Sequence, residues 1–410
     1  MSAISYAWRS LWRNRRRTLI TLAAIALSIM LVQAFHNLSV GVYARMIDDG
    51  VRAGSGHLAV YRDGYLDGRE ESLSFVPGDL TARVQALPGV AQALPRLYLP
   101  ALAQSSYDSR GILLIGVEPA AERAVNPFLK ELPADGMLRD LDSRDAVIGQ
   151  RLLDDLKLAV GLKLVVTAQH RDGTLHSELL RVRGVVKTGI ADVDGSLLMV
   201  GRDRAAQLAG MPGEIHELAI ILDRAADESR ILPALATLTA HHRELRAVSW
   251  TTAMPNLANA IKLDYASQKF IFVIILLIVT IGVVNTLLMS VMERLREFGV
   301  VLALGSSPAR LRRLVLLEAL LLGTVAAMVG CLLGALATWY LVEVGIDLKS
   351  FIPETLEFGG VVFDPVLRAT WDLAWMARIA AYVVGLTLLA ALYPAIKAGR
   401  VTPAEAMRHY

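Results

Sequence analysis

Hydrophobic positions in this chain fall into four long continuous runs, and most polar positions lie between them. The second run, residues 270–292, contains no Asp, Glu, Lys or Arg. A helix of about 20 apolar residues is long enough to cross a bilayer. The pattern therefore predicts four transmembrane helices, at residues 18–38, 270–292, 314–342 and 379–396.

The stretch between the first two runs, residues 39–269, is charged and polar, with Pro and Gly breaks and no segment able to span. Short runs with alternating apolar residues are typical of strands. They occur at 56–61, 112–117, 162–168, 179–186, 197–200, 218–222 and 245–250, with helical stretches at 79–87, 149–156, 204–208 and 225–240. This pattern predicts an α+β domain. Its outer segments, near 56–87 and 214–266, are expected to pair around a middle portion of about 95–210.

Composition supports the membrane interpretation. Of the 410 residues, 54% are hydrophobic, and the mean hydropathy is +0.45, which is too apolar for a soluble protein of several domains. The net charge of +3 is small. Cys331 is the single cysteine, so no internal disulfide can form.

The distribution of basic residues predicts the orientation. Arginine and lysine are concentrated in residues 1–17, in the connection 293–313 and in the tail 397–410, whereas acidic residues predominate in the loop 343–378. Because cytoplasmic loops carry an excess of Lys and Arg, we expect both termini and the 293–313 connection to be cytoplasmic. The predicted fold is an α-helical membrane protein with four transmembrane helices and a large α+β extracytoplasmic domain inserted between helices 1 and 2.

The N-terminal segment, residues 1–17, combines five arginines with Trp8 and Trp12. Such a segment can be a cytoplasmic amphipathic helix at the lipid headgroups or a positive flank without further role, and both interpretations stay open. A cleaved signal peptide is a rival for the first apolar run, since Val32-Gln33-Ala34 resembles a cleavage site. The run is longer than a usual signal core and three more follow, which favours a retained helix.

The sequence matches none of the standard catalytic or metal-binding patterns considered below. A phosphate-binding loop needs a Gly-Lys pair, and none occurs in the sequence. His216-Glu217 lacks the second histidine of a zinc protease helix, and His241-His242 fits a solvated helix end. Asp192-Val193-Asp194-Gly195 fits a turn, because the later Glu of a calcium loop is missing. We therefore expect no catalytic residue, no metal site, no cofactor in this chain and no nucleic-acid partner.

The predicted spans hold no carboxylate at mid-depth. An intramembrane protease or a proton-coupled carrier would place one there. Glu318 lies at the entrance of the third span, and its proximity in sequence to Arg312 and Arg313 predicts an ion pair at the interface.

A charged segment follows the second span directly. Glu293, Arg294, Arg296 and Glu297 have mixed signs at helical spacing, which predicts a short helix with pairs such as Glu293–Arg296 and Arg294–Glu297. Phe298, Val301 and Leu302 give this helix an apolar edge, and Gly299 and Gly305 permit close approach and a turn. From the residues alone, a solvated connector and a docking helix for a soluble partner are both possible.

The same segment resembles a family signature. Met292-Glu293-Arg294-x-Arg296-Glu297-Phe298-Gly299, followed by Ala303-Leu304-Gly305, is similar to the motif of the FtsX/MacB-type ABC transporter permease family. Glu318 matches that family's third-span entrance. Looser similarities lie in the large domain, and their order looks most like the lipoprotein-releasing branch, LolC and LolE. The other matching segments are 393–395, 402–408, 147–153, 161–164, 182–188 and 192–195.

The resemblance implies a permease subunit that works as a homo- or heterodimer with a second permease and a separate ABC ATPase, which binds ATP and Mg²⁺. It implies an inner-membrane protein with a MacB-like periplasmic core domain, moving lipoprotein or another amphipathic substrate by mechanotransmission, in contact with membrane lipids. The implied ATPase-coupling residues are Glu293, Arg294, Arg296, Glu297, Phe298, Gly299 and Gly305. The implied substrate contacts are Phe35, Phe270, Phe272 and Ile275.

One departure from the family pattern concerns the region of residues 168–178. In LolC-type proteins a protruding loop at the comparable place captures a periplasmic carrier, and here the region is short. A LolE-like partner, a homodimer and an exporter for another substrate all fit. The alternative function is that of an FtsX-like transmembrane signalling subunit, which regulates an extracytoplasmic partner such as a cell-wall hydrolase.

Overall fold

The computed structural model describes residues 3–240, 242–348, 357–358, 361–362 and 366–400. The motif at 402–408, most of the tail 397–410 and much of the loop 343–378 lie outside the described residues. The chain divides into two compact units. The membrane unit comprises Met1–Tyr43, Leu263–Phe351 and Val366–Tyr410, and the outer unit comprises Ala44–Lys262 and Ile352–Pro365.

Among the described residues, six helices contribute to the membrane unit, and four of them are long and apolar enough to cross a bilayer. They are α1 (Ala3–Leu11), α2 (Arg15–Ala53), α12 (Pro255–Glu293), α13 (Leu295–Ala303), α14 (Pro308–Glu343) and α15 (Leu373–Gly399), and a 3₁₀ turn, Trp12–Asn14, joins α1 to α2. Each long helix extends beyond its predicted span. Hydropathy predicts which residues can lie in the hydrocarbon core of the bilayer. The helix itself continues through the flanking polar residues until a cap or a helix-breaking residue ends it.

Small residues let the four long helices pack closely. Their shared core contains Ile25, Ile29, Val279, Val283, Leu287, Ala319, Ala326, Ala327, Val383, Ala390 and Ala391. A Cβ on Gly330 would lie 2.8 Å from Ile29, so α14 and α2 approach each other at that glycine. Polar side chains also join the helices, since the Asn37 amide donates to the Thr338 hydroxyl at 3.0 Å. Both devices are typical of helix packing in lipid.

Nine strands form the sheet of the outer unit. They are β1 (Leu58–Arg62), β2 (Val90–Gln104), β3 (Ser109–Val117), β4 (Asp145–Gly149), β5 (Lys163–Gln169), β6 (Leu175–Val186), β7 (Leu197–Gly201), β8 (Glu217–Leu222) and β9 (Leu245–Ser249). Helices connect and cover them: α3 (Tyr65–Gly68), α4 (Leu80–Gln85), α5 (Pro119–Val125), α6 (Pro127–Lys130), α7 (Gln150–Asp155), α8 (Ala191–Ser196), α9 (Arg202–Ala209), α10 (Glu228–Thr239) and α11 (Trp250–Ala253). Short 3₁₀ turns occur at Ala134–Gly136 and Ala225–Asp227.

The strand order is β3-β7-β4-β6-β5-β2-β8-β1-β9, with an additional pairing of β3 with β2. This pairing closes six strands into a ring. The long strand β2 belongs to both parts of this sheet, because residues 90–96 pair with β8 in the open part and residues 97–104 pair with β3 in the ring. The expected pairing of outer segments around a middle portion is therefore present, with β2 shared by both.

Each part of the sheet has its own core. The ring and α9 enclose residues such as Leu99, Ile148 and Val182. The open sheet of β2, β8, β1 and β9 packs Leu58 and neighbouring residues against Leu80 of α4 and Leu235 of α10.

The sequence analysis missed the strands β2 and β4, and two predicted features differ in detail. β2 contains Pro95 and Pro100, and β4 has only five residues, all buried. Trp250 begins a helix instead of ending a strand. The Asp192–Gly195 turn lies within α8, where Asp194 accepts hydrogen bonds from the Thr188 backbone and hydroxyl. Two-residue pairings also join Ile346–Asp347 with Val366–Leu367, and Glu357–Phe358 with Val361–Val362.

Candidate functional site

The charged segment forms a short helix bounded by clear stops. Arg294 adopts a non-helical backbone conformation between α12 and α13. At the other end, the N–H of Ser306 donates to the Val301 carbonyl at 3.1 Å and the N–H of Gly305 donates to the Leu302 carbonyl at 3.0 Å. With φ +89° at Gly305, this is a Schellman cap, which favours glycine at that position. The cap ends α13 before α14 begins at Pro308.

Arg294 lies at the centre of this region. Its side chain is 6% exposed and its ion-pair partner Glu318 is 4% exposed, with Nη1 and Oε1 2.6 Å apart. The guanidinium also donates to the Ser10 hydroxyl and, at 3.3 Å, to the Tyr6 hydroxyl, and it stacks over the Phe298 ring. Burial alone would lower the pKa of Arg294, but Glu318 and Tyr6 together raise it. Arg294 therefore joins α1, α13 and α14 as a permanent cation.

Two further ion pairs join α13 and the end of α12 to the turn before α2 and to the first turn of α2. Arg13 lies 2.5 Å from Glu297, and Arg17 donates twice to Glu293, at 2.8 and 3.1 Å. The hydrogen bond from Arg13 lowers the pKa of Glu297. These pairs are partly exposed, so each contributes little to stability, but they fix which surfaces meet.

One side of α13 is buried and the other is open. Phe298 packs in a small core with Val291, Leu311, Val315, Ala395 and Ala398, and Gly299 is buried beside it. The outward side carries Arg296 together with exposed apolar side chains: Val300 is 51% exposed and Leu304 is 82% exposed. Apolar side chains rimmed by charges are typical of a surface that binds a protein partner.

The structure places the predicted coupling residues as follows. Arg294 and Glu297 are 3.5 Å apart, as the i,i+3 spacing predicts, whereas Glu293 pairs with Arg17. The prediction for Glu318 is wrong in its partner, since the carboxylate pairs with Arg294 and not with Arg312 or Arg313. Sequence proximity suggested the nearest arginines, but those side chains are exposed, and the buried carboxylate takes the buried cation.

A second feature is an apolar groove between α2, α12 and α15. Its volume is about 540 Å³, and its lining includes Leu31, Val32, Phe35, His36, Tyr265, Gln268, Lys269, Ile271, Phe272, Ile275, Trp375, Ile379 and Tyr382. The lining is graded along the helices. His36, Gln268 and Lys269 lie at one end, and the remaining length is almost entirely apolar. The groove is therefore amphipathic, with a size in the range of ligand sites.

Three of the four predicted substrate contacts, Phe35, Phe272 and Ile275, line this groove. Phe270 lies outside it and is 69% exposed, because two residues along a helix turn the side chain to another face. The sequence analysis missed the contribution of α15, where Trp375 stacks on His36 with ring centroids 3.7 Å apart. In the charged segment, the sequence analysis also missed that Glu297 pairs with Arg13 and Glu293 with Arg17. The two arginines are four residues apart, as are the two glutamates, and this equal spacing was the available signal.

Two family models match the chain. The MacB-like periplasmic core domain matches residues 18–237, and the FtsX-like permease C-terminal domain matches residues 269–403. The first model alone covers more than half of the chain. The predicted architecture is thereby confirmed: four apolar helices, with a large α+β domain of periplasmic type between the first and the second.

Curated relatives show the same relationship. The lipoprotein-releasing system transmembrane protein LolC of Neisseria meningitidis serogroup B is 28% identical over 331 residues, which cover 78% of this chain and 79% of the relative. LolE of Haemophilus influenzae is 22% identical, covering 80% of each chain. The solved periplasmic region of MacB from Actinobacillus actinomycetemcomitans is 14% identical, with a TM-score of 0.38, and covers 52% of this chain and 98% of that one. Because the MacB-like model matches more than half of the chain and the FtsX-like model matches its C-terminal part, the chain belongs to the FtsX/MacB-type ABC transporter permease family, as a membrane protein with an extracytoplasmic domain.

Proposed function

We propose that this chain is the force-transmitting permease subunit of a transporter that extracts or exports a lipoprotein or another amphipathic substrate, driven by a separate ABC ATPase. The observation that carries the proposal is the construction of α13. Glu297 of α13 pairs with Arg13 in the turn before α2, and Arg294 at the start of α13 pairs with the buried Glu318 of α14. Val300 and Leu304, by contrast, are exposed. A partner that moves α13 therefore moves the ends of two long helices.

The exposed side of α13 fits a protein partner on the side of both termini, which the positive-inside rule makes cytoplasmic. Hydrolysis of ATP is assigned to that partner, because the sequence has no Gly-Lys pair to form a phosphate-binding loop. ATP and Mg²⁺ would then bind to the ATPase, and this chain would have no catalytic role. A second permease subunit, identical or related, completes the proposed assembly.

The apolar groove favours a transported cargo over pure signalling. Phe35, Phe272 and Ile275 give the groove an apolar lining, and because lipid tails are as apolar as these side chains, an acyl chain can pass from the bilayer into the groove without contacting water. Lys269, His36 and Gln268 supply polar groups at one end for the head of an amphipathic molecule. A subunit that only switches an outer hydrolase needs no groove of this kind.

Photo-crosslinking in native membranes tests both contacts in one experiment. A photoreactive amino acid is placed at Leu304, at Phe272 and, as a control, at Phe270, which is the same residue type on the same helix but is more exposed and lies outside the groove. Crosslinked chains are identified by mass spectrometry. We expect an ATPase with a phosphate-binding loop at Leu304, and lipid-modified or otherwise amphipathic cargo at Phe272.

Two outcomes contradict the proposal. If the complex assembles but no ATPase is captured at Leu304, α13 is not the docking element. If the yield of cargo at Phe272 is no greater than at Phe270, the groove does not hold the substrate.

A further inference from the structure

The hairpin of β5 and β6 in the outer unit carries a cluster that the permease function does not use. Its connection runs from His170 to Thr174, with φ +84° at Gly173. The Gly173 N–H donates to the His170 carbonyl at 2.8 Å, and the His170 N–H donates to the Thr174 carbonyl at 2.8 Å. This tight turn brings His170 and Asp172 next to His176 at the start of β6.

Three potential metal ligands meet at this tip. His170 Nδ1 lies 3.1 Å from Asp172 Oδ1, and the His170 and His176 rings stack with centroids 4.3 Å apart. One ligand atom from each of the three residues lies within 4.8 Å of the others. Zinc-bound nitrogen and oxygen atoms at 2.0–2.2 Å are separated by about 3.3–3.5 Å in a tetrahedral site. Side-chain rotations that move the ligand atoms by about 1 Å therefore suffice to bring all three within bonding distance of one ion.

Neighbouring residues hold these ligands in place. The Asp172 Oδ1 atom accepts hydrogen bonds from the Thr174 N–H at 2.9 Å and from the Thr174 hydroxyl at 2.5 Å. The His170 ring lies against Gly210, where any Cβ would collide with it. Residues that orient a ligand in this way strengthen metal binding.

The nearby cation does not oppose a metal ion. The Arg171 guanidinium pairs with the Glu214 carboxylate, and that carboxylate also accepts a hydrogen bond from Ser74. The positive charge is thus neutralised by a partner outside the cluster.

We propose that His170, Asp172 and His176 bind one divalent transition-metal ion, with Zn²⁺ as the primary candidate. Two imidazole nitrogens and one carboxylate oxygen are a ligand set that suits Zn²⁺, Ni²⁺ and Cu²⁺ over Mg²⁺ or Ca²⁺. Asp172 and His176 are exposed, so water completes the coordination. The sequence analysis expected no metal site and did not consider these three residues. Their pattern, His-x-Asp-x-x-x-His, becomes a cluster only through the turn.

Metal titration of the full-length chain tests this site. The protein is purified in lipid nanodiscs with a tag that contains no histidine and is stripped with a chelator, and ZnCl₂ is titrated by calorimetry. Three proteins are compared: the natural sequence, His170→Asn/His176→Asn, and the control His242→Asn, which removes an exposed histidine elsewhere in the outer unit. Thermal unfolding of the metal-free proteins verifies that the variants fold.

We expect one Zn²⁺ per chain in the natural sequence and in His242→Asn. The double variant should raise the Kd at least about a hundredfold, because loss of merely an outer-shell partner costs 10–100-fold. X-ray absorption of the zinc-loaded protein should show two imidazole nitrogens at about 2.0–2.1 Å. Equal affinity of the natural sequence and the double variant, an equal loss in His242→Asn, or a coordination shell of oxygen alone would each overturn the proposal.

Discussion

The buried pair of Arg294 and Glu318 gives the most quantitative prediction. Glu318→Leu leaves the Arg294 guanidinium with two hydroxyl acceptors and with Glu297 at 3.5 Å. Removing one partner of a buried ion pair costs about 3–5 kcal/mol. Because Ser10 and Tyr6 still accept hydrogen bonds, we expect a loss near the lower limit, about 3 kcal/mol in the free energy of unfolding.

The double variant Arg294→Met/Glu318→Leu isolates the charge effect. It removes both ions and keeps most of the apolar volume, and such replacements are often neutral or stabilising. We therefore expect its free energy of unfolding to lie within about 1 kcal/mol of the natural value. Glu293→Gln is the matched control, because its pair with Arg17 is 41% exposed on the carboxylate side and should contribute less than about 1 kcal/mol.

Reversible unfolding by SDS in mixed micelles, followed by tryptophan fluorescence, measures these three variants and the single substitution Arg294→Met, which completes the double-mutant cycle. The reasoning fails if Glu318→Leu costs no more than Glu293→Gln. It also fails if the double variant loses as much as the two single substitutions added together, since the pair would then have no coupling.

Two further predictions concern packing and pH. Gly330→Leu should destabilise the membrane unit by about 1–3 kcal/mol in the same SDS assay, because its side chain would enter the space of Ile29, whereas Gly385→Leu, whose Cβ meets open space, should have little effect. In the outer unit, burial lowers the pKa values of His57 and His216, and each ring accepts a backbone N–H at Nδ1. The unfolded chain therefore binds more protons, and the thermal midpoint of the full-length protein should fall as pH drops below about 6.5. A His57→Gln/His216→Gln variant should show a smaller decline, and an unchanged pH dependence would refute this assignment.

The order of elements could be read from hydrophobic periodicity, because lipid-facing helices and alternating strands leave strong signals. The strand β2 could not. Pro95 and Pro100 argue against a central strand, yet Pro95 lies opposite Leu218 and Pro100 opposite Leu113 in regular ladders. Because β2 changes partners near Arg96, each proline has a partner strand on one side only: β8 for Pro95 and β3 for Pro100. The missing N–H of each proline therefore does not interrupt hydrogen bonding to a second strand.

The contacts of the candidate site depended on tertiary structure in the same way. Mixed charges in 293–297 indicated ion pairs, but their partners, Arg13 and Arg17, are more than 270 positions away. Of the residues that line the groove, the sequence analysis predicted only some of those on α2 and α12 and none on α15. The stacking of Trp375 on His36 follows from where α15 begins, which is set by the Asp372 side chain accepting from the Trp375 N–H.

Ring closure pairs the β3 end of the sheet with β2, so that β9 is left as the edge strand of the sheet. This edge matters for neighbouring molecules in a crowded membrane. A strand at the margin of a sheet offers unpaired amides to other chains, and this invites intermolecular strand addition. The terminal strand β9 has only five residues and carries Arg246, which pairs with Asp63. Short, charged margins discourage such addition, so many copies can be displayed side by side without self-association of their sheets.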